Sequence, residues 1–457
     1  MLDSTLLLWI LLILGLGKVL GMIAERLGFP SIIGELLVGI LLGPMALGLI
    51  TPSEANLVNW ENLEVLASLG VMFMMFIMGL SINVETIIKN NARSASAITL
   101  IGASLVFIGA TAATLVIDLA MGQELYFSIA QACIVGVALT STSTVIGFRY
   151  LSEIGDRFSN VFKTLVAVEV TDGIFSIVLL AVFLSVLQAY TSITEAGGSL
   201  DLGQFLPVIG SKAFTLLMLV IGFMIFVIKF GGAVANWLLG ISRRTSEDQS
   251  IITLSLIILF AVAALSDWLE LTAVIGAFLA GAILAGSPFS ETVIMPKIKA
   301  VGYGLFIPIF FAFTGLQMDF GAILGGAALQ LPAGIGIPYY LILFVLLLVT
   351  VIIFKYFGAI IGCAYAGGFK LKDARKIGCS AICVGEDTLV IAQIGAMVMF
   401  TAGMPLITPA IFSVLGMLII VTSVLTPFML KWAFSVNETP AMASPRGGGM
   451  KNKRKSI

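Results

Sequence analysis

The chain has 457 residues, of which 59% are hydrophobic and 11% are charged; its net charge is −1 and it contains no histidine. A soluble protein of this length could not bury so much apolar surface, so the composition predicts a polytopic membrane protein held in the lipid bilayer. The near-zero net charge gives no reason to expect nucleic acid as a partner, and the lack of histidine excludes histidine-based metal sites and Ser-His-Asp catalysis. We therefore expect no enzyme activity, no cofactor and no resident metal.

A helix needs about 20 apolar residues to cross the hydrocarbon layer, and polar or Gly/Pro clusters divide the chain into about 13 such segments. Numbered in chain order, these predicted spans are 4–24, 30–50, 62–84, 94–117, 125–148, 160–190, 205–238, 249–267, 271–288, 301–318, 338–366, 374–402 and 405–434. The sequence therefore predicts an all-α polytopic membrane protein, with a transmembrane domain over residues 1–436 and a disordered cytoplasmic tail over residues 437–457.

Lysine and arginine separate between alternate loops. The loops after odd-numbered spans carry them, as in Arg243 and Arg244 or the cluster at 370–376. The loops after even-numbered spans, such as "DLAMGQE" (118–124), carry acidic residues instead. Because positively charged loops remain in the cytoplasm, the N-terminus is predicted to lie outside and the C-terminus inside, which requires an odd number of spans.

The two halves of the chain share short segments at a nearly constant offset. "GELLVGILLG" (34–43) resembles "GAFLAGAILAG" (276–286), "GLSINV" (79–84) resembles "GLQMDF" (315–320), and "STVIG" (143–147) resembles "TLVIA" (388–392). An offset of seven spans makes the second copy enter the membrane from the opposite side. The pattern predicts two inverted six-helix repeats, spans 1–6 and 8–13, joined by span 7, an architecture typical of secondary transporters.

Several charged residues lie inside predicted spans, although a charge at the bilayer centre costs roughly 2.5–3.5 kcal/mol on insertion scales. These residues are Glu35, Glu169, Asp172, Lys355, Glu386 and Asp387. Glu169 and Asp172 share one helix face through their i, i+3 spacing, so both are expected to point into one cavity. Glu35 is expected to be structural. Lys355 is either a structural ion-pair partner, with Glu169 as one candidate, or a direct participant in transport.

Two predicted spans contain segments unlike an ordinary membrane helix. "GVALTSTSTVIGF" (136–148) has hydroxyl residues at every position from Thr140 to Thr144, and "CVGEDTLVIAQIG" (383–395) has a glycine followed by two acids. Hydroxyls in a helix often bond back to the preceding turn, but they also satisfy the backbone where a helix unwinds. Since the segments occupy equivalent places in the two repeats, we expect two crossed discontinuous helices whose end dipoles are compensated by Lys355, Glu386 and Asp387.

The chain also contains, in this order, the blocks "IGELLVGILLGPMALGLI", "GVMFMMFIMGLSINV", "AVIGAFLAGAIL", "FIPIFFAFTGLQMD" and "GEDTLVIAQIG". In these blocks, and over about residues 15–430, it resembles the monovalent cation:proton antiporters, specifically the second cation:proton antiporter family. The resemblance implies a core domain (93–200 and 336–436), a dimerisation panel (1–92 and 245–320) and a connector helix (201–244). It further implies a homodimer in which the core slides against the panel as an elevator.

The resemblance also implies an ion site where spans 5 and 12 cross. Asp172 matches the family's essential aspartate, and Lys355 matches the lysine of span 11. The sequence departs from the family pattern at Thr171, where many electrogenic members carry a second aspartate. Thr171 cannot carry a proton or pair ionically with Lys355, although Glu169, one turn earlier, could take that pairing role.

Asp172 is expected to bind either a proton or a monovalent cation, sodium or potassium, with further oxygen ligands from Thr171, Thr142 or Ser143. If Asp172 alone cycles, exchange is electroneutral, which is our expectation; a change of protonation at Glu169 or Lys355 would make it electrogenic. The alternative function is a cation-coupled symporter of a small organic anion on the same fold. We expect an integral protein of a prokaryotic plasma membrane, and a separate subunit could supply regulation.

Overall fold

The computed structural model describes residues 3–81, 92–144, 146–147, 151, 160–195, 222, 248–269, 273–325, 327–330, 336–400 and 404–435. In the first half of the chain the α-helices are α1 (Ser4–Arg26), α2 (Ser31–Leu42), α3 (Leu57–Leu80), α4 (Ala92–Ala120), α5 (Leu125–Thr140) and α6 (Asn160–Glu195). In the second half they are α7 (Asp248–Trp268), α8 (Ala273–Ala285), α9 (Met295–Val301), α10 (Ile307–Leu316), α11 (Phe320–Gly325), α12 (Tyr339–Ala366), α13 (Leu371–Ala381), α14 (Asp387–Met397) and α15 (Pro409–Ser435). A 3₁₀ turn (Glu54–Asn56) precedes α3, and π-helical turns, Ser290–Ile294 and Gly302–Phe306, flank α9.

Among the described residues, 8 helices are long and apolar enough to cross a membrane, and α2, α5, α8 and α14 are shorter apolar helices. The chain is therefore an all-α polytopic integral membrane protein, as the sequence predicted. Every predicted span coincides with a described helix except span 7. Span 7 (205–238), the connector and the tail (437–457) fall outside the described residues, apart from Gly222. The total number of spans and the inverted repeat stay predictions.

The structure corrects the sequence reading at two places. Helix α4 continues to Ala120, so Asp118, which the sequence assigned to a loop, lies inside a helix and is fully buried. Between α11 and α12 the chain also forms a small antiparallel strand pair, β1 (Ala328–Gln330) with β2 (Gly336–Pro338). Hydropathy alone could not show either feature, because Asp118 stands at the end of an apolar run and the strands are short.

The helices pack in two groups. In one, α2 contacts α1 and α10, α3 contacts α8 and α10, and α7 contacts α8; in the other, α4, α5, α6 and α12–α15 surround one another. These groups contain the helices that the sequence assigned to the panel and to the core, and we use those two names for them. The domain boundaries themselves stay a prediction.

Glycines bring the panel helices into backbone contact. A Cβ atom at Gly39 of α2 would lie 1.9 Å from the Ala312 carbonyl oxygen of α10, and one at Gly281 of α8 would lie 2.2 Å from the Phe76 carbonyl oxygen of α3. The predicted repeat equates α2 with α8 and α3 with α10. The two contacts therefore have the reciprocal form expected of halves related by a pseudo-two-fold axis.

Methionine side chains of the panel rest on glycines of the core. The Met78 side chain of α3 lies against Gly173 of α6, where a Cβ would meet Met78 Cε at 2.7 Å. Met318, which follows α10, lies against Gly416 of α15, where the corresponding distance is 1.8 Å. Bare backbone at both contacts lets an unbranched side chain lie flat between panel and core.

Candidate functional site

Two helix breaks cross in the middle of the core. Helix α5 ends at Thr140 and the chain becomes extended at Ser141, while the chain between α13 and α14 is unwound from 382 to 386. Thr142 pairs with Val384 as an antiparallel bridge, and the Ser143 N–H donates to the Cys383 carbonyl at 3.0 Å. The discontinuous helices expected at these two segments are present, and they cross as predicted.

Side chains satisfy the backbone that the breaks leave unpaired. The Thr388 hydroxyl donates to the Ala138 carbonyl at 2.7 Å, and the Val384 N–H donates to the Thr422 hydroxyl of α15 at 3.2 Å. Gly385 packs closely against the first break, since a Cβ there would lie 2.7 Å from the Ser141 hydroxyl. Unwound backbone persists within a membrane only where such partners exist, so this Thr/Ser/Gly-rich composition is what allows the crossing.

Asp172 lies beside the crossing and is 5% exposed. The Thr99 hydroxyl of α4 donates to its carboxylate at 2.5 Å, and the side chain of Thr142 also interacts with it. Asp172, Thr142 and Lys355 line a void of about 10 Å³, which is at the lower limit for one water molecule. A cation with several ligands therefore needs the surrounding side chains to rearrange.

Lys355 of α12 is buried and holds the crossing in place. Its ammonium group donates to the Ser141 carbonyl and to the Thr142 hydroxyl, the latter at 3.3 Å. Glu169 instead accepts a hydrogen bond from Thr144. In the described part of the chain, the pairing of Glu169 with Lys355 that the sequence suggested is therefore not formed, because the two side chains are bonded to different parts of the first helix break.

Three carboxylates line a larger cavity next to this void. Glu169, Glu386 and Asp387 face a space of about 470 Å³ whose opposite wall includes Lys299 of α9 and the exposed Tyr303. The Ser141 hydroxyl donates to Asp387 at 3.1 Å. A concave surface rich in carboxylates attracts cations. Thr142 lines both this acidic cavity and the Asp172 void, so it separates the two spaces.

A second cavity lies at the other end of the same helices. It has a volume of about 660 Å³ and is lined by Trp60 and Glu64 of α3, Asp319, and Gln393 of α14, among others. The acidic cavity contacts the opposite ends of α3 and α14, at Met78 and Asp387. Trp60 and Met78 are about 27 Å apart along α3, so the two cavities lie toward opposite ends of this helix.

Thr171 and Glu35, the remaining predicted residues, lie on α6 and α2. The Thr171 hydroxyl donates to the Ala167 and Val168 carbonyls of its own helix at 2.5 Å and 3.2 Å, the back-bonding that the sequence left open for hydroxyl residues. Glu35 is half-buried on α2, with its stem next to Gly17, and it lies within electrostatic range of Tyr303 at the acidic cavity. The ligand roles of Thr171, Thr142 and Ser143 stay predictions.

Comparison with known proteins identifies the family. The family model described as "Sodium/hydrogen exchanger, transmembrane" matches residues 10–436. The chain belongs to this sodium/hydrogen exchanger family. The membership confirms the resemblance to the cation:proton antiporters, and it agrees with the expectation of a transporter in place of an enzyme.

Relatives of this exchanger match it over nearly their whole length. It is 30% identical over 438 residues to the Na(+)/H(+)-K(+) antiporter GerN of Bacillus cereus, covering 95% of this chain and 98% of that protein. It is 27% identical over 412 residues to the Na(+)/H(+) antiporter of Enterococcus hirae, covering 90% and 93%. The chain has the same fold as the solved structure of the sodium proton antiporter MjNhaP1 from Methanocaldococcus jannaschii, with a TM-score of 0.60 and 17% identity. The match covers 94% of this chain and 98% of the MjNhaP1 chain.

Three site residues of this exchanger were missed by sequence reasoning: Thr99, Ser141 and Thr144. Thr99 follows "SASAI" at the start of span 4, where nothing distinguishes it from a hydroxyl that bonds within its own helix. Ser141 and Thr144 belong to the recognised hydroxyl run, but spacing along an unwound segment does not show where each side chain points.

Proposed function

We propose that the chain is a secondary active antiporter that exchanges a monovalent cation, sodium or potassium, for protons, and that Asp172 binds the two in turn. The observation that carries the proposal is the position of Asp172, buried beside the crossing and separated from the acidic cavity by Thr142. The printed names of the relatives, antiporters of sodium or potassium with protons, give the same substrates.

The chemistry of the site supports exchange. An ionised carboxylate in a buried position costs several kcal/mol unless it is paired, and either a proton or a cation removes that cost. Asp172 cannot hold both at once, because each neutralises the same charge. The empty, ionised site is therefore the state least able to cross an apolar gate, which makes each crossing depend on a bound proton or cation.

We further propose that the core moves past the panel as an elevator. The two cavities lie on opposite sides of the crossing and both run along the boundary between panel and core. The methionine–glycine contacts at this boundary have no interlocking side chains on the core side. The predicted homodimer, with the N-terminus outside, completes this proposal, and the molar mass of the purified protein in detergent tests the dimer.

Proteoliposomes with an imposed pH gradient test the activity. Adding sodium or potassium outside vesicles that hold the wild-type protein should dissipate the gradient without a permeant anion, whereas a symporter of organic anions would require one. Asp172→Asn should abolish the exchange. Asp267→Asn is the matched control, since Asp267 is an exposed carboxylate in the last turn of α7 and lines neither of the two cavities. Retained exchange in Asp172→Asn would refute the proposed site.

The same vesicles at clamped voltage test the coupling. With Thr171 in place of a second acid, one proton should exchange for one cation, so the rate should not depend on voltage. A rate that changes steeply with voltage would mean that a second group, Glu169 or Lys355, also changes its protonation during the cycle.

A further inference from the structure

A second buried carboxyl of the core has no role in the proposed exchange. Asp118 lies in the last turn of α4 and is 0% exposed, and neither of its carboxylate oxygens has a hydrogen-bond partner among the described residues. Its backbone is fixed, because the Gln123 N–H donates to the Asp118 carbonyl at 3.0 Å and Gly122 closes the turn with a φ of 76°. Asp118 is about 28 Å along α4 from Thr99, the residue that touches Asp172.

Three hydroxyls near Asp118 are also buried without partners in the described part of the chain: those of Thr111, Thr114 and Ser128. Thr111 and Thr114 precede Asp118 by two turns and one turn on the same face of α4. Thr111 faces Gly136 of the antiparallel helix α5, where a Cβ would lie 2.3 Å from the Thr111 hydroxyl. Asp118 lies about 10 Å beyond Thr111 toward the C-terminus of α4, and Ser128 lies about 12 Å before Gly136 on α5. Because the two helices are antiparallel, Asp118 and Ser128 lie at the same height along the pair.

The helices packed against α4 are α5, α6 and α12, and the titratable groups that they bring to this level are acidic or neutral. Tyr340 of α12 interacts with the Thr408 side chain and lies within electrostatic range of Asp118. Glu124, Tyr126 at the start of α5, and Tyr190 of α6 form a group at the same end of the hairpin. No basic side chain of the described residues is at this level: Lys355 is about 22 Å from Tyr340 along α12, and Arg93 is about 37 Å from Asp118 along α4.

These surroundings favour the neutral acid over the ionised carboxylate, because they offer no counter-ion among the described residues. A buried charge without a donor or a counter-ion costs several kcal/mol, and the carbonyl end of a helix adds partial negative charge. A carboxylic acid is neutral, and its O–H can donate to the hydroxyl of Thr114, one turn earlier on the same face of α4, after a side-chain rotation. We propose that Asp118 is a proton-binding site separate from Asp172, which holds its proton at neutral pH and releases it only under alkaline conditions.

Infrared spectroscopy of the reconstituted protein tests this site without any transport assay. At neutral pH, the difference spectrum obtained by subtracting the Asp118→Asn variant from the wild type should contain a carboxylic-acid C=O band. This band should shift when the sample is exchanged into heavy water. The control Glu124→Gln removes an exposed carboxyl at the same end of the hairpin and should leave that band in place. Absence of the band from the wild-type difference spectrum would overturn the proposal, and so would its loss on adding sodium or potassium, which would make Asp118 a cation ligand.

Thermal unfolding gives a second measurement. The unfolded chain ionises this carboxyl above about pH 4, whereas the folded chain keeps it protonated. The wild-type midpoint temperature should therefore fall more steeply from about pH 4 to neutral pH than that of Asp118→Asn or Asp118→Leu, and the difference should level off once the folded protein is ionised. Both replacements are neutral and of similar size, so both should fold. If all three proteins lose stability in parallel as the pH rises, the buried acid is not the proton site proposed here. Neither outcome depends on whether Asp172 carries out exchange.

Discussion

Removing the hydroxyl of Thr99 should change how protons and cations compete at Asp172. Thr99→Val keeps the shape of the side chain and deletes the donor that lies 2.5 Å from the carboxylate, where Thr99 is 3% exposed and Asp172 is 5% exposed. A hydrogen bond to a charged group contributes about 1.5–3 kcal/mol. Because water has little access to replace this donor, the ionised form of Asp172 should lose most of that amount relative to the protonated form.

The loss can be expressed on the pH axis. One pH unit corresponds to 1.36 kcal/mol, so the pH profile of exchange should move about 1–2 units to the alkaline side. At a fixed pH below the new midpoint, the cation concentration for half-maximal exchange should rise about 10–100-fold, since protons then occupy the site more fully. The maximal rate at alkaline pH and saturating cation should change much less.

The assay is dissipation of a pH gradient in proteoliposomes, measured over a range of pH and cation concentration. Thr99→Ser restores the hydroxyl and is the matched control, so it should return both the pH profile and the half-maximal concentration to near wild-type values. An unchanged pH profile in Thr99→Val would refute the reasoning. A Thr99→Ser variant that behaves like Thr99→Val would show that the methyl group, and not the hydrogen bond, matters at this position.

Two further predictions concern the crossing and the panel–core boundary. Lys355→Met keeps the aliphatic stem but leaves the Ser141 carbonyl without its donor, so the free energy of unfolding should fall by about 1–3 kcal/mol, seen as a lower midpoint in thermal unfolding. An unchanged midpoint would mean that the crossing does not depend on this ammonium group. Gly416→Ala places a methyl group 1.8 Å from Met318 Cε, so exchange should slow about tenfold, consistent with overpacking costs of about 1–3 kcal/mol. Adding Met318→Ala to Gly416→Ala should restore most of the rate; no rescue would place the effect of Gly416 elsewhere.

The sequence predicted the helices of this fold well because a membrane imposes few alternatives. The membrane determines both the hydropathy of the spans and the separation of Lys and Arg between loops. The resemblance in ordered blocks follows from shared ancestry. The helix breaks were also predictable, since a run from Thr140 to Thr144 and the "GED" segment are unusual in an apolar span. These signals are local in the chain, so they can be interpreted without knowing which helices touch.

The partners of the site residues were not predictable in the same way. Charge alone pairs Glu169 with Lys355, yet Glu169 accepts a hydrogen bond from Thr144, while Lys355 donates to Ser141 and Thr142. Charge and spacing do not give the rotation of a helix about its axis, which decides whether two side chains meet. The burial of Asp118 was missed for a related reason, since a carboxylate at the end of an apolar run is usually at the surface.

The backbone contacts between panel helices set where this molecule can deform. At Gly39 and Gly281 no side chain separates the neighbouring helices, so those pairs cannot shear or spread without losing contact along their length. We therefore expect the panel to behave as one rigid body, with little movement of its helices relative to one another. Any displacement that carries Asp172 from one face toward the other must then be concentrated at the surface where Met78 and Met318 lie on glycine.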